Sequence, residues 1–282
     1  MYTSGRTYRL LNVFAEDRLA GNALCVFEDG SGLSDATMQA VALQFNLSET
    51  TFLFPSARAD AAARIFTPTA ELPFAGHPTL GSACVVRDLR HTGERLTLEM
   101  KAGVIPVTAH DDLFTLQAVK PSHRPVDAAP DDLAALLGLA ARDLGEAPMW
   151  VSTGTEQLLV PLRSADAVRR VRIDAQRAEA FKTSQGAVMI YVWAEDVPGR
   201  AIARFLFSRS PGTLGEDPGT GSACANLGGW MLATGRTLPV ALTIHQGDHL
   251  GRACRLHLSV DEERRIFVGG RVIEIGRGQM EL

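Results

Sequence analysis

Glu49 stands at a junction. It follows Asn46-Leu47-Ser48 and precedes the apolar, β-rich run Thr51-Phe52-Leu53-Phe54. A carboxylate there is either a solvated turn residue or an acid/base aimed into a cleft, where apolar walls would raise its pKa toward the range useful for proton transfer. His77 lies in a Gly-His-Pro string within the loop 67–79, which carries three prolines. An imidazole works near neutral pH as a proton shuttle or hydrogen-bond donor, although a loop histidine is also an ordinary surface residue. Asp217 precedes a second loop, Pro218-Gly219-Thr220-Gly221-Ser222. It would either cap the helix that follows or pair with His77 across a cleft. A glycine-rich loop feeding a helix start offers unpaired backbone N–H groups and the positive end of the helix dipole, which together bind anions. The pattern occurs twice, near Gly76 and at Gly219–Gly221, and suits a small molecule bearing a carboxylate; the competing reading of Gly219 and Gly221 is a tight turn alone. The second loop lacks the Gly-Lys-Ser/Thr ending of a nucleotide-phosphate loop.

Cys25, Cys84, Cys224 and Cys254 are the four cysteines. Cys84 and Cys224 would suit a two-thiol racemase, but each falls one to two turns inside a segment of small apolar residues, which favours buried, inert thiols. No two cysteines have zinc spacing and no His-x-x-x-His helix appears, so neither a metal nor a cofactor is expected.

These residues need elements to hold them. Tyr8–Phe14, Ala23–Phe27, Thr50–Phe54 and Ala63–Phe66 read as strands. Ser34 reads as the N-cap of a helix that ends near Asn46, with Met38, Val41, Ala42 and Phe45 on one face. Leu80–Leu89 and Ser222–Leu232 read as helices enclosed on most sides, because their first turns carry no charge. Residues 67–79 and 210–221 read as loops, 95–119 as two or three strands around Asp111-Asp112, and Lys120–Pro130 as a linker. A short helix follows at Leu133–Leu139, then strands at Met149–Ser152, Gln157–Leu162, Ala187–Trp193 and Ile202–Phe207, and three or four more to the end. The two halves share this grammar, and Gly81-Ser82-Ala83-Cys84 matches Gly221-Ser222-Ala223-Cys224 in letters, while the loops pair Ala75-Gly76 with Pro218-Gly219. The expectation is a duplicated domain with a cleft between the copies: residues 1–119, to which about 270–282 return, and residues 120–282.

Composition sets the outer bounds. The chain has 282 residues, 46% hydrophobic and 21% charged, which excludes disorder. Its 28 Lys+Arg against 32 Asp+Glu, a net charge of -4, give no electrostatic reason to expect nucleic acid. No apolar run reaches the roughly 18 residues of a membrane span, and the polar N-terminal residues do not resemble a secretory signal, so a cytoplasmic protein with no membrane partner is expected.

The blocks Gly21-Asn22-Ala23-Leu24-Cys25-Val26-Phe27, Asn46-Leu47-Ser48-Glu49, Arg64-Ile65-Phe66-Thr67-Pro68, Pro73-Phe74-Ala75-Gly76-His77-Pro78 and Asp217-Pro218-Gly219-Thr220-Gly221-Ser222-Ala223, followed by Gln246-Gly247, Gly251-Arg252 and Val268-Gly269-Gly270, resemble in order and spacing the PhzF family of phenazine-biosynthesis-like isomerases. The resemblance covers essentially the whole chain. It implies an α+β, diaminopimelate-epimerase-like fold in which each of two pseudo-symmetric domains wraps a sheet around a central helix. It implies Glu49 as general acid/base, with His77, Asp217 and Ser222 assisting, and the backbone at Gly76, Gly219, Thr220 and Gly221 holding a substrate carboxylate. Ala23 replaces the usual proline after Gly-Asn. Where related epimerases carry catalytic cysteines, this chain has Ala75 and Pro218, which argues against thiol-based racemisation. The implied activity is a cofactor-independent proton and double-bond shift on a small unsaturated or cyclic carboxylic acid. A non-catalytic carboxylate-binding protein and an epimerase with other acids are the alternatives, and a homodimer fits the resemblance.

Overall fold

The computed structural model describes residues 5–210 and 212–282. The chain divides into two compact units: residues up to Gln117 with Gly251–Arg255 and Gly269–Leu282, and Ala118–Leu250 with Leu256–Val268. In chain order the first contains β1 (Arg6–Val13), β2 (Asn22–Phe27), α1 (Asp35–Phe45), β3 (Glu49–Phe54), β4 (Ala61–Phe66), β5 (Glu71–Leu72), α2 (Gly76–Arg90), β6 (Arg95–Met100), β7 (Gly103–His110) and β8 (Leu113–Gln117). The second contains β9 (Ser122–Pro125), α3 (Pro130–Leu137), β10 (Met149–Ser152), β11 (Glu156–Pro161), α4 (Ala165–Arg170), α5 (Ala175–Ala178), β12 (Met189–Val197), β13 (Arg200–Ser210), β14 (Thr213–Asp217), α6 (Gly221–Ala233) and β15 (Val240–Gln246). The last two strands, β16 (Cys254–Val260) and β17 (Ile266–Met280), have residues in both units, and the end of β17 pairs with β1 from Arg6↔Met280 to Val13↔Val272.

Each unit builds a mixed sheet by the same route. In the first, β1 and β2 are antiparallel, β2 and β3 parallel across α1, β3 and β4 antiparallel, β4 and β5 antiparallel, and β4 and β6 parallel across α2. In the second, β10 and β11 are antiparallel, β11 and β12 parallel across α4 and α5, β12 and β13 antiparallel, β13 and β14 antiparallel, and β13 and β15 parallel across α6. A parallel pair requires a crossover, so α1, α2, α6 and the α4–α5 pair are demanded by the strand directions.

The helices differ in how they meet the sheets. On one face α1 covers Cys25, Phe27, Phe52 and Phe66, with Phe27 and Phe52 stacked at 4.9 Å. Ser34 caps α1 through Thr37 N–H, and Asn46 ends it in the left-handed conformation. The same service in the second unit falls to α3, α4 and α5. The other two helices are enclosed: α2 buries His77 through Ala83, and α6 buries Ala223 through Met231. Small residues are what let the strands approach them. A Cβ on Gly81 would meet Leu24 Cδ2 at 2.4 Å, and one on Gly229 would meet Pro121 Cβ at 2.8 Å.

Three sequence expectations are corrected. Residues 120–130 are not a linker: β9 pairs with β10, with Arg124 over the Trp150 ring at 4.5 Å and ion-paired to Glu156. Its prolines, Pro121, Pro125 and Pro130, flank the pairing or end it, so they do not break an edge strand. The segments 67–79 and 210–221 are not pure loops, because β5 and β14 lie within them. Each short strand is pinned by a two-pronged arginine–glutamate pair, Arg64 to Glu71 and Arg204 to Glu216. Finally, α2 starts at Gly76, with Pro78 inside its first turn.

The short strands fix the register of the repeat. Glu71-Leu72, three residues, then Gly76 in the first unit corresponds to Glu216-Asp217, three residues, then Gly221 in the second. The structure therefore aligns Gly76 with Gly221 and His77 with Ser222. Neither letter-based alignment survives.

Candidate active site

In the first unit Glu49 is the first residue of β3, where it pairs with Leu24 of β2. Its side chain is 15% exposed, and its Oε2 lies 3.4 Å from Nε2 of His77, which is 6% exposed. The second residue of α2 therefore faces the first residue of β3. His77, expected in a loop, is instead buried inside a helix, which removes the reading of it as an ordinary surface residue. Burial lowers the His77 pKa from 6.5 to about 3, with a hydrogen bond to the Ala23 backbone acting weakly the other way. The imidazole is thus neutral at pH 7 and carries one proton. Nε2 has no hydrogen-bond partner of normal geometry, so the Ala23 bond belongs to Nδ1. A backbone bond that favours the charged ring uses the carbonyl as acceptor, so the proton sits on Nδ1 and the Nε2 lone pair faces Glu49. A lone pair there accepts a hydrogen bond from a carboxylic acid. The segment carrying Ala23 is itself clamped: Arg252 donates to Leu19 O, Gly21 O and Asn12 Oδ1 at 2.9, 2.9 and 2.7 Å.

In the second unit Asp217 closes β14, and its Oδ2 accepts from Thr220 Oγ1 at 2.5 Å. Gln246, the last residue of β15, donates to Asp217 O at 2.8 Å and to Thr220 Oγ1 at 3.0 Å. The Thr220 N–H is directed at Gln246 Oε1 at 3.4 Å, so this backbone donor, expected to serve a ligand, is turned to the protein. Ser222 Oγ accepts from Gln157 Nε2 at 3.0 Å. Both α2 and α6 begin without a side-chain cap, at Ala75 and Thr220, so no side chain competes for their first-turn N–H groups.

The repeat makes a direct comparison possible. The third residue of β2, Leu24, pairs with Glu49, and the third residue of β11, Leu158, pairs with Ile190. The second residue of β2, Ala23, binds His77, and the second residue of β11, Gln157, binds Ser222. Ile190, wholly buried, therefore occupies the position of Glu49, and Ser222 that of His77. Gln157 and Asn226 were not singled out from sequence, and Gln246 only as part of the Gln246-Gly247 block. Asn226 had a signal, as a polar residue four after Ser222 in an otherwise small and apolar helix.

Cys224 is fully buried, and burial pushes its thiol pKa up; Cys84 is partly exposed, less enclosed than expected, with its thiol pushed by burial to about 11. Neither supplies a thiolate at neutral pH. Among the described residues no cluster of His, Cys, Asp and Glu is arranged to hold a metal ion. No described helix is long and apolar enough to cross a membrane.

The profile of the PhzC-PhzF family, phenazine biosynthesis-like protein, matches residues 11–277. The chain belongs to the PhzF family. It is 41% identical to an uncharacterized isomerase of Pasteurella multocida, over 97% of this chain and 93% of that one. It is 34% identical to a trans-2,3-dihydro-3-hydroxyanthranilate isomerase of Pseudomonas aeruginosa, over 89% of this chain and 88% of the relative. A PhzF-family structure from Bacillus anthracis, 22% identical, superposes with a TM-score of 0.87 over 99% of this chain and 100% of its own. The chain is accordingly an isomerase of the PhzF type, and the expected α+β, diaminopimelate-epimerase-like fold is the one observed.

Proposed function

We propose that this PhzF-family isomerase moves a proton and a double bond on a small unsaturated or cyclic carboxylic acid, with Glu49 as the acid/base. The observation that carries the reading is the pairing of Glu49 Oε2 with a buried, neutral His77 at 3.4 Å, at a position that is Ile190 in the other repeat. One repeat holds a carboxyl that can exchange a proton, and the other holds a hydrocarbon. A single acid/base suits removal and return of a proton at two carbons of one substrate better than the two opposed acids of a racemase.

In this scheme the Glu49 carboxylate takes a proton from an sp³ carbon next to unsaturation. The C–H electron pair becomes the new double bond, and the π pair of the old one moves onto its far carbon. The Glu49 carboxylic acid then returns a proton to the carbon at the far end. Substrate and product are isomers, so no oxidant or reductant is needed. His77 serves as a neutral acceptor that holds the protonated Glu49 in place between the two transfers. Each unit has donors suited to a substrate carboxylate: the Gly76 N–H in the first, and the Gly221 N–H and the Ser222 hydroxyl in the second, where Asp217 orders Thr220 beside Gly219.

The relative named trans-2,3-dihydro-3-hydroxyanthranilate isomerase supplies the first acid to try. Incubated with that compound and a panel of ring-unsaturated carboxylic acids, the enzyme should yield an isomer with a relocated double bond, read by proton NMR. Inversion at one carbon with every double bond in place would make it an epimerase. Binding with no turnover at stoichiometric enzyme would make it a carboxylate-binding protein.

A further inference from the structure

Five residues of the second unit form a hydrogen-bonded chain whose polarity is dictated by the backbone. Asn226 Oδ1 accepts from the Thr153 backbone N–H and from the Thr153 hydroxyl, each at 2.7 Å. Asn226 Nδ2 donates to the Thr155 carbonyl at 2.9 Å and to Gln157 Oε1 at 2.8 Å. Gln157 Nε2 then donates to Ser222 Oγ at 3.0 Å. Amide oxygen and nitrogen look alike in shape, but a backbone N–H only donates and a carbonyl only accepts. Thr153 N–H and Thr155 C=O therefore anchor opposite ends of the Asn226 amide. With Asn226 fixed, Gln157 must turn its oxygen inward and its NH₂ toward Ser222. Asn226 and Gln157 are 0% and 1% exposed, so reversing either amide would set donor against donor or acceptor against acceptor in a buried place.

Ser222 receives a proton from this chain and cannot give its own back along it. Ser222 is partly exposed, and with Gln157 as its donor the hydroxyl proton is left for an acceptor outside this chain of bonds. The corresponding first turn of α2 behaves differently: the Thr79 hydroxyl donates to the Ala75 carbonyl at 2.6 Å. The geometry points to Asn226 and Gln157 as positioning residues that hold the Ser222 hydroxyl as a one-way donor for a carboxylate oxygen of the ligand. This rests on the proposed function only for the ligand being a carboxylic acid.

Two measurements test it. Neutron diffraction from deuterated wild-type crystals should show two deuterons on Gln157 Nε2, one aimed at Ser222 Oγ, and the Ser222 deuteron aimed away from Gln157. A Ser222 deuteron aimed back at Gln157 overturns the proposal. The second uses benzoate as the probe, followed by the amide shifts of Gly221 and Ser222. In Gln157→Glu the new carboxyl accepts from Asn226 and can also accept the Ser222 proton, turning the donor inward. Gln157→Glu and Ser222→Ala should each weaken benzoate about tenfold or more, as loss of a hydrogen bond to a charged group does, and the double variant should be no worse than Ser222→Ala. Additive losses would mean that the Gln157→Glu substitution acts through its charge or through the fold, and they overturn the positioning role. Unchanged affinity in Gln157→Glu, or wild type whose Gly221 and Ser222 amides do not respond to benzoate, overturns it as well. Glu49→Gln leaves this network intact, so failure of the acid/base reading appears in turnover and failure of this proposal appears in benzoate affinity.

Discussion

The second residue of α2 is a histidine and the second residue of α6 a serine, and around them the two repeats have diverged in kind. Both helices begin after a short strand pinned by an arginine–glutamate pair, and both lack a side-chain cap. In the first repeat the partner is Glu49, so the helix start meets a group that gains and loses protons. In the second the partner is Gln157, and behind it Asn226, so the helix start meets a neutral chain of fixed direction. On the proposed reading, one scaffold supports a mobile proton in one copy and an immobile one in the other. The scaffold positions residue types, and chemistry follows from which types those are.

After Glu49 itself, the largest expected break comes from His77. His77→Gln keeps a polar side chain but offers no lone pair of comparable basicity to the Glu49 proton. It should lower kcat roughly 10²-fold on a confirmed substrate, while ligand affinity changes little. An unchanged kcat would remove the imidazole from the proton path.

The same residue should separate the two repeats in acid. The folded His77 pKa is about 3 against 6.5 for a free histidine. Between those values the unfolded chain binds a proton that the folded chain does not, so this contribution is fully present above pH 6.5 and is lost as pH falls. The slope from one such group is at most about 1.4 kcal/mol per pH unit. Urea melts of wild type from pH 7 to 4 should show this loss, His77→Gln should flatten it, and Ser222→Ala should not. Equal slopes in wild type and His77→Gln would mean that the imidazole is not held neutral.

The smallest effect belongs to the thiols. Cys84→Ala with Cys224→Ala should keep most of the turnover while losing some stability from the cavity left at Cys224. In the folded protein Cys224 should resist alkylation, and Cys84 should react slowly because little thiolate forms at neutral pH. Complete loss of activity with the fold intact would restore a two-thiol mechanism.

Much of this was legible in the residues. The cap at Ser34, the end of α1 at Asn46, the strand Met149–Ser152 and the enclosed character of α2 and α6 follow from local chemistry and the lack of charge. The repeat was visible as well, but its register was not. The matching letters Gly-Ser-Ala-Cys fall at different depths in the two helices, because each sheet asks for small residues where its own strands press closest. The strands β5 and β14 were hidden inside glycine- and proline-rich stretches, since an arginine on the neighbouring strand supplies what their own sequence lacks. Glu49 and His77 were each readable as candidates, but their contact depends on β2, β3 and α2 coming together. Gln157 was invisible for a related reason: an amide in a strand has no distinctive spacing, and its direction is set by Asn226, far away in sequence.

Whether Glu49 carries the proton is read from kcat of Glu49→Gln on a confirmed substrate. Glutamine keeps the shape and the hydrogen bonding of the side chain but cannot cycle a proton. With Glu49 as the acid/base, kcat should fall roughly 10²–10⁴-fold with binding retained. Turnover by Glu49→Gln at near wild-type speed would contradict it.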